Sequence, residues 1–205
     1  MRRELRARGL PEELADEWRA LYQPQLETVR SGAREWVDLD VLHREALDRL
    51  LTRHGLAVED PDELTRAWHR LDPWPDTVPG LTRLNARFII APCSNGHIAQ
   101  GVNLARHAGL PWDVILGAEI ARAYKPQPQA YLASAAALKL PPHEIAMVAA
   151  HNGDLAAAQA LGFATAFVPR PAEHGPGQTT DLEPEGDWDV VARDFLDLAD
   201  KLKGD

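Results

Sequence analysis

Ser94, Asn95 and Gly96 close the apolar run "RFIIAPC". A hydroxyl, an amide and a glycine at the end of a buried strand let donors come close to an anionic group. Lys125 stands in "AYKPQPQAY", where two prolines constrain the backbone, and offers charge neutralisation. His151, Asn152, Gly153 and Asp154 follow a second apolar run, "EIAMVAA", and bring a carboxylate to the same edge. A lysine meeting a carboxylate beside anion-binding donors is equipped for acid/base work on a small charged molecule. Each piece also has a plainer reading. Ser-Asn-Gly makes turns, Lys125 alone is a solvated side chain, Asp154 suits a helix start, and His151 suits a strand end. What sets them apart is shared position, because ligands of parallel α/β sheets collect at the carboxyl ends of the strands.

The elements that must hold these residues fall into two textures. "LPEELADEWRALYQPQLETVRSG" opens with Pro11 in a first turn and puts Leu14, Trp18, Leu21 and Tyr22 on one face. Pro24 is expected to kink or interrupt that helix. "DLDVLHREALDRLLTRHG" repeats the pattern with Leu39, Leu42, Ala46 and Leu50 and stops at Gly55, and "DPDELTRAWHRL" starts again behind an acidic cap and Pro61. Residues 1 to about 72 therefore read as helix throughout. After the proline-rich "DPWPDTVPG" the chain alternates. "FIIAPCS", "WDVILGA", "EIAMVAA", "ATAFVP" and the start of "WDVVARDFLDLADKL" read as strands, with the helices "IAQGVNLARHAGL", "PQAYLASAAALKL" and "DLAAAQALG" after the first three and another after the last. Their apolar positions are consecutive rather than alternating, as strands covered on both faces require. The expected class is α/β, with a Rossmann-like parallel sheet core over 75–205 and an N-terminal helical cap over 1–74. Residues 170–187 read as an exposed loop.

Composition narrows the function. The chain is 45% apolar and 26% charged, as a soluble globular protein is, and its net charge of −9 argues against nucleic acid or an anionic membrane as partner. A locally positive pocket for an anionic small molecule remains compatible with that balance. One cysteine, Cys93, allows no internal disulfide and suits a reducing compartment, so a cytoplasmic location is expected. No apolar run approaches the roughly 20 residues of a membrane helix, and the basic start lacks the apolar segment of a secretory signal. Dinucleotide, Walker and nucleophile-elbow motifs are missing. Cys93 reads as packing. The eight histidines are dispersed in the sequence without the close pairs of zinc sites, so neither a metal nor another cofactor is expected. Trp18 packs the helical part and is a candidate to line a small apolar pocket for a substrate's alkyl group.

"APCSNGH", then "AYKPQPQAY", then "MVAAHNGDLAAAQALGFATAFVPRP" resembles, in order and wording, the haloacid dehalogenase superfamily and specifically its type II 2-haloacid dehalogenases. "DEWRALY" and "VDLDVLHREAL" are similar to that family's cap helices, so the resemblance runs over nearly the whole chain. It implies hydrolysis of (S)-2-haloacids to 2-hydroxy acids of inverted configuration through an aspartyl ester, without a cofactor. Carried over by position, Ser94 matches the second motif, Lys125 the third and Asp154 the acidic fourth. Ser94 and Asn95 would hold the substrate carboxylate and the nucleophile, and Lys125 would offset the crowding of carboxylates. Asp154 would orient Lys125 or the attacking water. Arg19 would receive the halide or the carboxylate, and Tyr131 falls where the family carries a tyrosine. Some relatives carry serine and asparagine where this chain has Ala149 and His151, so His151 or Asn152 is expected to position the water.

The resemblance also implies an attacking aspartate in an Asp-x-x-Gly-Thr turn after a first strand, and no such turn occurs in these 205 residues. Asp16, Asp38 and Asp40 lie in helical, charged contexts. The expectation is a sheet lacking its central strand, in a chain whose reading frame begins downstream of the true start and which is inactive as it stands. Decay of the gene, or a non-catalytic ligand-binding or homodimerising protein that pairs through an exposed sheet edge, are the alternatives. A magnesium-dependent phosphatase of the same superfamily is the rival enzyme. It would need a second carboxylate near Ala158 and Gln159, where this chain has none.

Overall fold

In the computed structural model, which describes residues 1–175 and 177–203, the first part of the chain is helical and the rest alternates strand and helix. Helices α1 (Arg2–Ala7), α2 (Leu14–Ala20), α3 (Tyr22–Arg30), α4 (Leu39–His54) and α5 (Pro61–Thr65) are followed by a 3-10 turn over Arg66–His69. The helix expected to be interrupted at Pro24 breaks instead at Leu21, between α2 and α3. Pro24 lies inside the first turn of α3, where its missing N–H leaves no bond unmade. Gly55 ends α4 at φ 62°, a left-handed cap that glycine adopts without a Cβ clash. Leu5, Leu14, Trp18, Ala46, Leu47, Leu50 and Leu64 form one buried cluster between these helices.

The alternating part contains α6 (Thr77–Asn85), α7 (Ile98–Ala108), a 3-10 turn over Ala118–Ile120, α8 (Pro128–Leu138), β1 (Ala146–Ala149), α9 (Asn152–Gln159), β2 (Ala164–Phe167), β3 (Val190–Val191) and α10 (Phe195–Lys201). Strands β1, β2 and β3 pair in parallel in that order, with Ala146 opposite Ala164 and Ala166 opposite Val190. Fully buried Phe167 and Leu155 pack with Tyr131 on one side of this sheet, and Leu81, Leu84 and Leu198 pack with Ala166 on the other. Gly80 is where α6 meets α10, since a Cβ there would stand 2.3 Å from that of Phe195.

The expected strands at "FIIAPCS" and "WDVILGA" do not form as strands. They run side by side, with the Asp113 N–H donating to the Ile90 carbonyl and one parallel bridge from Cys93 to Leu116. Among the described residues no ladder joins this pair to β1, and Ile89 is 64% exposed. A strand needs a neighbour on its hydrogen-bonding edge, and one short neighbour secures too few bonds to hold a regular ladder. Residues 170–187 carry no helix or strand among the described residues, as expected. Among the described residues no helix is long and apolar enough to cross a membrane.

Candidate functional site

Lys125 is held by its backbone before its side chain does anything. Its N–H donates to Asn95 Oδ1 at 2.7 Å, and its carbonyl accepts from Arg30 Nη1 of α3 at 3.1 Å. Gln127 Nε2 returns a bond to the Arg30 carbonyl at 3.1 Å, so the lysine loop is tied to the helical region from two sides. The ammonium then donates to Asp154 Oδ2 at 2.5 Å, while the Tyr131 hydroxyl donates to Oδ1 at the same distance. The Lys125 and Asp154 side chains are 17% and 13% exposed, so the pair is sheltered without being sealed. Asp154 lies in the first turn of α9, where the unsatisfied N–H groups of the helix favour a negative charge. Burial and the bond to Asp154 push the Tyr131 phenol well above the usual range, so it stays a donor.

Asn95 is the hinge of the arrangement. Its carbonyl oxygen takes the Lys125 N–H, and its amide donates to the Tyr22 hydroxyl of α3 at 3.1 Å. Tyr22 in turn lies under the Arg19 guanidinium, 4.9 Å from its ring centroid, a cation–π contact that aims the arginine toward the site. Arg19 Nη2 is also 3.9 Å from Glu173. Ser94 Oγ accepts from the Gly96 N–H at 3.0 Å and shapes the turn, and a Cβ on Gly96 would sit 2.3 Å from Gln100 Oε1. "SNG" is thus the turn that its residue types suggest, closed by Ser94 onto the Gly96 N–H.

His151 forms the rim. Its Nε2 is 2.9 Å from Glu173, whose hydrogen bond and charge raise the imidazole pKa against the opposing effect of burial. Burial pushes the Glu173 carboxyl up, but the bond and charge of His151 outweigh it and hold the carboxyl below its ordinary value. Asn152 departs from its expected role. Its backbone N–H and side-chain amide donate to Asp181 and the Glu183 carbonyl, and its oxygen accepts from Glu185 N–H and Trp188 Nε1. With that capacity spent, it tethers the 180–188 loop and has nothing left for a substrate. Trp18 departs likewise: it is fully buried in the helical cluster, its indole N–H donating to the His43 carbonyl at 2.9 Å, and lines no open pocket. It braces the helix that carries Arg19.

The structure thus brings Ser94, Asn95, Lys125, Tyr131 and Asp154 together, with Arg19 and His151 at the rim. Three participants were missed in the sequence. Tyr22 sits three residues after Arg19 on the helical run, a spacing that signals a shared face. Arg30 and Glu173 left no such trace, since each meets the site through a tertiary contact. Cys93 packs as expected, its thiol pushed up by burial. Ala158, where a magnesium site would want a carboxylate, is fully buried beside Tyr131 and Leu155.

The same arrangement of chain occurs in known proteins. Residues 2–162 match the haloacid dehalogenase-like hydrolase family. An (S)-2-haloacid dehalogenase of Xanthobacter autotrophicus is 32% identical over 171 residues, spanning 79% of this chain and 65% of its own length. An (S)-2-haloacid dehalogenase of Burkholderia cepacia is 32% identical over 75% of this chain and 68% of its own. Among solved structures, a defluorinating L-2-haloacid dehalogenase superposes with a TM-score of 0.93 at 52% identity, covering 98% of this chain and 85% of the other. The Xanthobacter autotrophicus L-2-haloacid dehalogenase with chloropropionic acid covalently bound gives 0.80 at 25% identity, covering 94% and 86%. The family match, the level of identity and the shared fold agree: this chain belongs to the haloacid dehalogenase-like hydrolases.

Proposed function

We propose that the site serves the hydrolytic dehalogenation of (S)-2-haloacids. The observation that carries this reading is the joined network of Arg19, Tyr22, Asn95, Lys125, Tyr131 and Asp154. It links two cations, Arg19 and Lys125, through Tyr22 and Asn95, and holds a carboxylate fixed by two donors. In the proposed reaction a carboxylate oxygen attacks C2 of the haloacid in line, the carbon–halogen bond breaks, and halide departs toward Arg19. Water then attacks the carbonyl carbon of the resulting ester. The 2-hydroxy acid leaves with inverted configuration and a proton is released. Ser94 and Asn95 hold the substrate carboxylate, Lys125 keeps the crowded carboxylates ionised, and Asp154 and Tyr131 keep Lys125 in place. His151 is the group left to position the water. Among the described residues Asp154 is the carboxylate bonded to Lys125, and both its oxygens are engaged, so it is a poor attacker. Ester formation is therefore expected to be absent from the 205-residue chain assayed by itself.

Ala158 argues against the metal-dependent phosphatase, since a hard cation beside Asp154 would find a buried methyl there instead of an oxygen. The same proposal carries a cytoplasmic location, a small haloacid as ligand, and self-association through the exposed Phe88–Ile89 edge.

The test is ligand-induced stabilisation. (S)-2-Chloropropionate at about 100 times its dissociation constant should add about 2.7 kcal/mol to the unfolding free energy. The (R) enantiomer should add far less, and Arg19→Ala should abolish the effect. Equal stabilisation by both enantiomers, or stabilisation by phosphate with magnesium instead, would overturn the dehalogenase reading. Halide release by the 205-residue chain above a Lys125→Ala control would overturn the assignment of Asp154 as a non-attacking group.

A further inference from the structure

Asp40, His69 and His97 are scattered in the sequence and converge in space. Asp40 lies in the first turn of α4, His69 ends the 3-10 turn over Arg66–His69, and His97 immediately precedes α7. Their ligand atoms all lie within 4.8 Å of one another. His69 Nε2 is 2.9 and 3.0 Å from the two Asp40 oxygens, and His97 Nε2 is 3.4 Å from Oδ2. Donors bonded to one tetrahedral ion at about 2.0–2.1 Å stand about 3.4 Å from each other. The His97–Asp40 separation already has that value, and the His69–Asp40 separation needs to open by a few tenths of an ångström. As an N–H···O bond, by contrast, 3.4 Å is too long. His97 Nδ1 is also buried without a hydrogen-bond partner. The three groups are arranged around a point more than along a hydrogen-bonded chain.

The surroundings suit an ion as well. His69 is 5% exposed, and its Nδ1 is 2.9 Å from the Asn103 side-chain amide; with the amide oxygen turned to the ring, Asn103 accepts the Nδ1–H and leaves Nε2 free for an ion, the outer contact that orients a metal-bound imidazole. Asp40 is 30% exposed and His97 13%, which leaves a path from solvent. Two imidazoles and one carboxylate are a donor set for borderline transition metals and a poor one for magnesium or calcium, which want oxygens.

We propose that Asp40, His69 and His97 bind one divalent transition-metal ion such as Zn²⁺, with water completing its coordination. The ion clamps α4 and the 3-10 turn to the start of α7. Because His97 is two residues from Asn95, it also steadies the loop that Asn95 occupies. It stands apart from Lys125 and Asp154, takes no part in carbon–halogen chemistry, and does not depend on the dehalogenase reading.

The experiment is a Co²⁺ titration of the chelator-treated 205-residue chain, followed by visible absorption, with Zn²⁺-induced melting shifts in parallel. One Co²⁺ per chain should appear with the strong bands of four- or five-coordinate geometry, and Zn²⁺ but not Mg²⁺ should raise the melting temperature. His97→Gln should weaken binding by more than the roughly 10–100-fold cost of losing an outer contact. His174→Ala, in the exposed group of His151, Glu173 and His174, should leave it unchanged. Absence of both the bands and the melting shift overturns the proposal. So does binding that survives His97→Gln and is lost in His174→Ala. If His97→Gln fails to fold, imidazole ¹⁵N resonances of the unaltered chain decide: Zn²⁺ must move those of His69 and His97 and not that of His174.

Discussion

Asp154 and Asp40 occupy the same kind of position and live in opposite company. Each lies in the first turn of a helix, each is partly sheltered, and each has two polar side chains close to its carboxylate. Asp154 faces an ammonium and a phenol, whereas Asp40 faces two imidazoles. An ammonium carries a charge near neutral pH that must be neutralised in place, while an imidazole is free to be neutral there. The first arrangement is committed to holding charge. The second is open to exchange a proton or accept a cation.

The largest expected effect follows from that contrast. Asp154→Ala leaves the Lys125 ammonium sheltered without its counter-charge and strips the Tyr131 hydroxyl of its acceptor, which should cost about 3–5 kcal/mol. Asp40→Ala leaves imidazoles, and should cost only about 1–3 kcal/mol. Urea unfolding at neutral pH with chelator present measures both. Equal losses would break the comparison. Replacing Lys125 and Asp154 together by Met and Leu should recover most of the loss, because the penalty lies in the orphaned charge.

The contrast also explains what the sequence could disclose. Ser94 and Asp154 follow apolar runs, so a one-dimensional pattern of run, turn and polar residue marks them, and the prolines of "AYKPQPQAY" mark Lys125. Even so, the strand before Ser94 was overread, because a run of apolar residues shows burial and not the presence of a ladder partner. The helical character of the first part was legible from its spacing, as was the stop at Gly55, while the stretches 31–38 and 55–60 between helices and the break at Leu21 instead of Pro24 were not. Asp40, His69 and His97 were not, since each looks like an ordinary residue of its own segment. The proximity of the three exists only once α4, the 3-10 turn and α7 are packed. Asn152 failed differently. Its place beside Asp154 suggested chemistry, while its bonds to Asp181, Glu183, Glu185 and Trp188 depend on a loop whose path no local pattern encodes.

A second effect, of intermediate size, sharpens the comparison by pH. His43 is buried between Tyr22 and Trp68, and burial lowers its pKa to about 4 despite the nearby charge of Asp40. Its folded pKa lies below the unfolded value of about 6.5, so between the two the unfolded chain binds the extra proton. Stability should therefore fall as pH drops from about 6.5 toward 4, by up to about 1.4 kcal/mol per pH unit from this group. The raised pKa of His151 has the opposite sign: its contribution is present below about 6.5 and lost as pH rises through the folded value. Urea midpoints measured across this range should slope more gently in His43→Gln than in the unaltered chain. Parallel slopes would show that His43 takes its proton without leaving the fold.

The smallest effect concerns the loop beside Asp154. Asn152→Ala removes four side-chain hydrogen bonds and leaves Asp181, the Glu185 N–H and the Trp188 indole N–H short of partners. Groups this near the surface recover water in part, so the loss should be about 1–3 kcal/mol, below that of Asp154→Ala. The change should be local as well as small. Limited proteolysis should cut within residues 170–187 much faster in the variant, while the bond from Tyr131 to Asp154 and the packing of Leu155 keep α9 in place. If proteolysis is unchanged and (S)-2-chloropropionate binding is lost instead, Asn152 touches the ligand and the division between tether and site has been drawn in the wrong place.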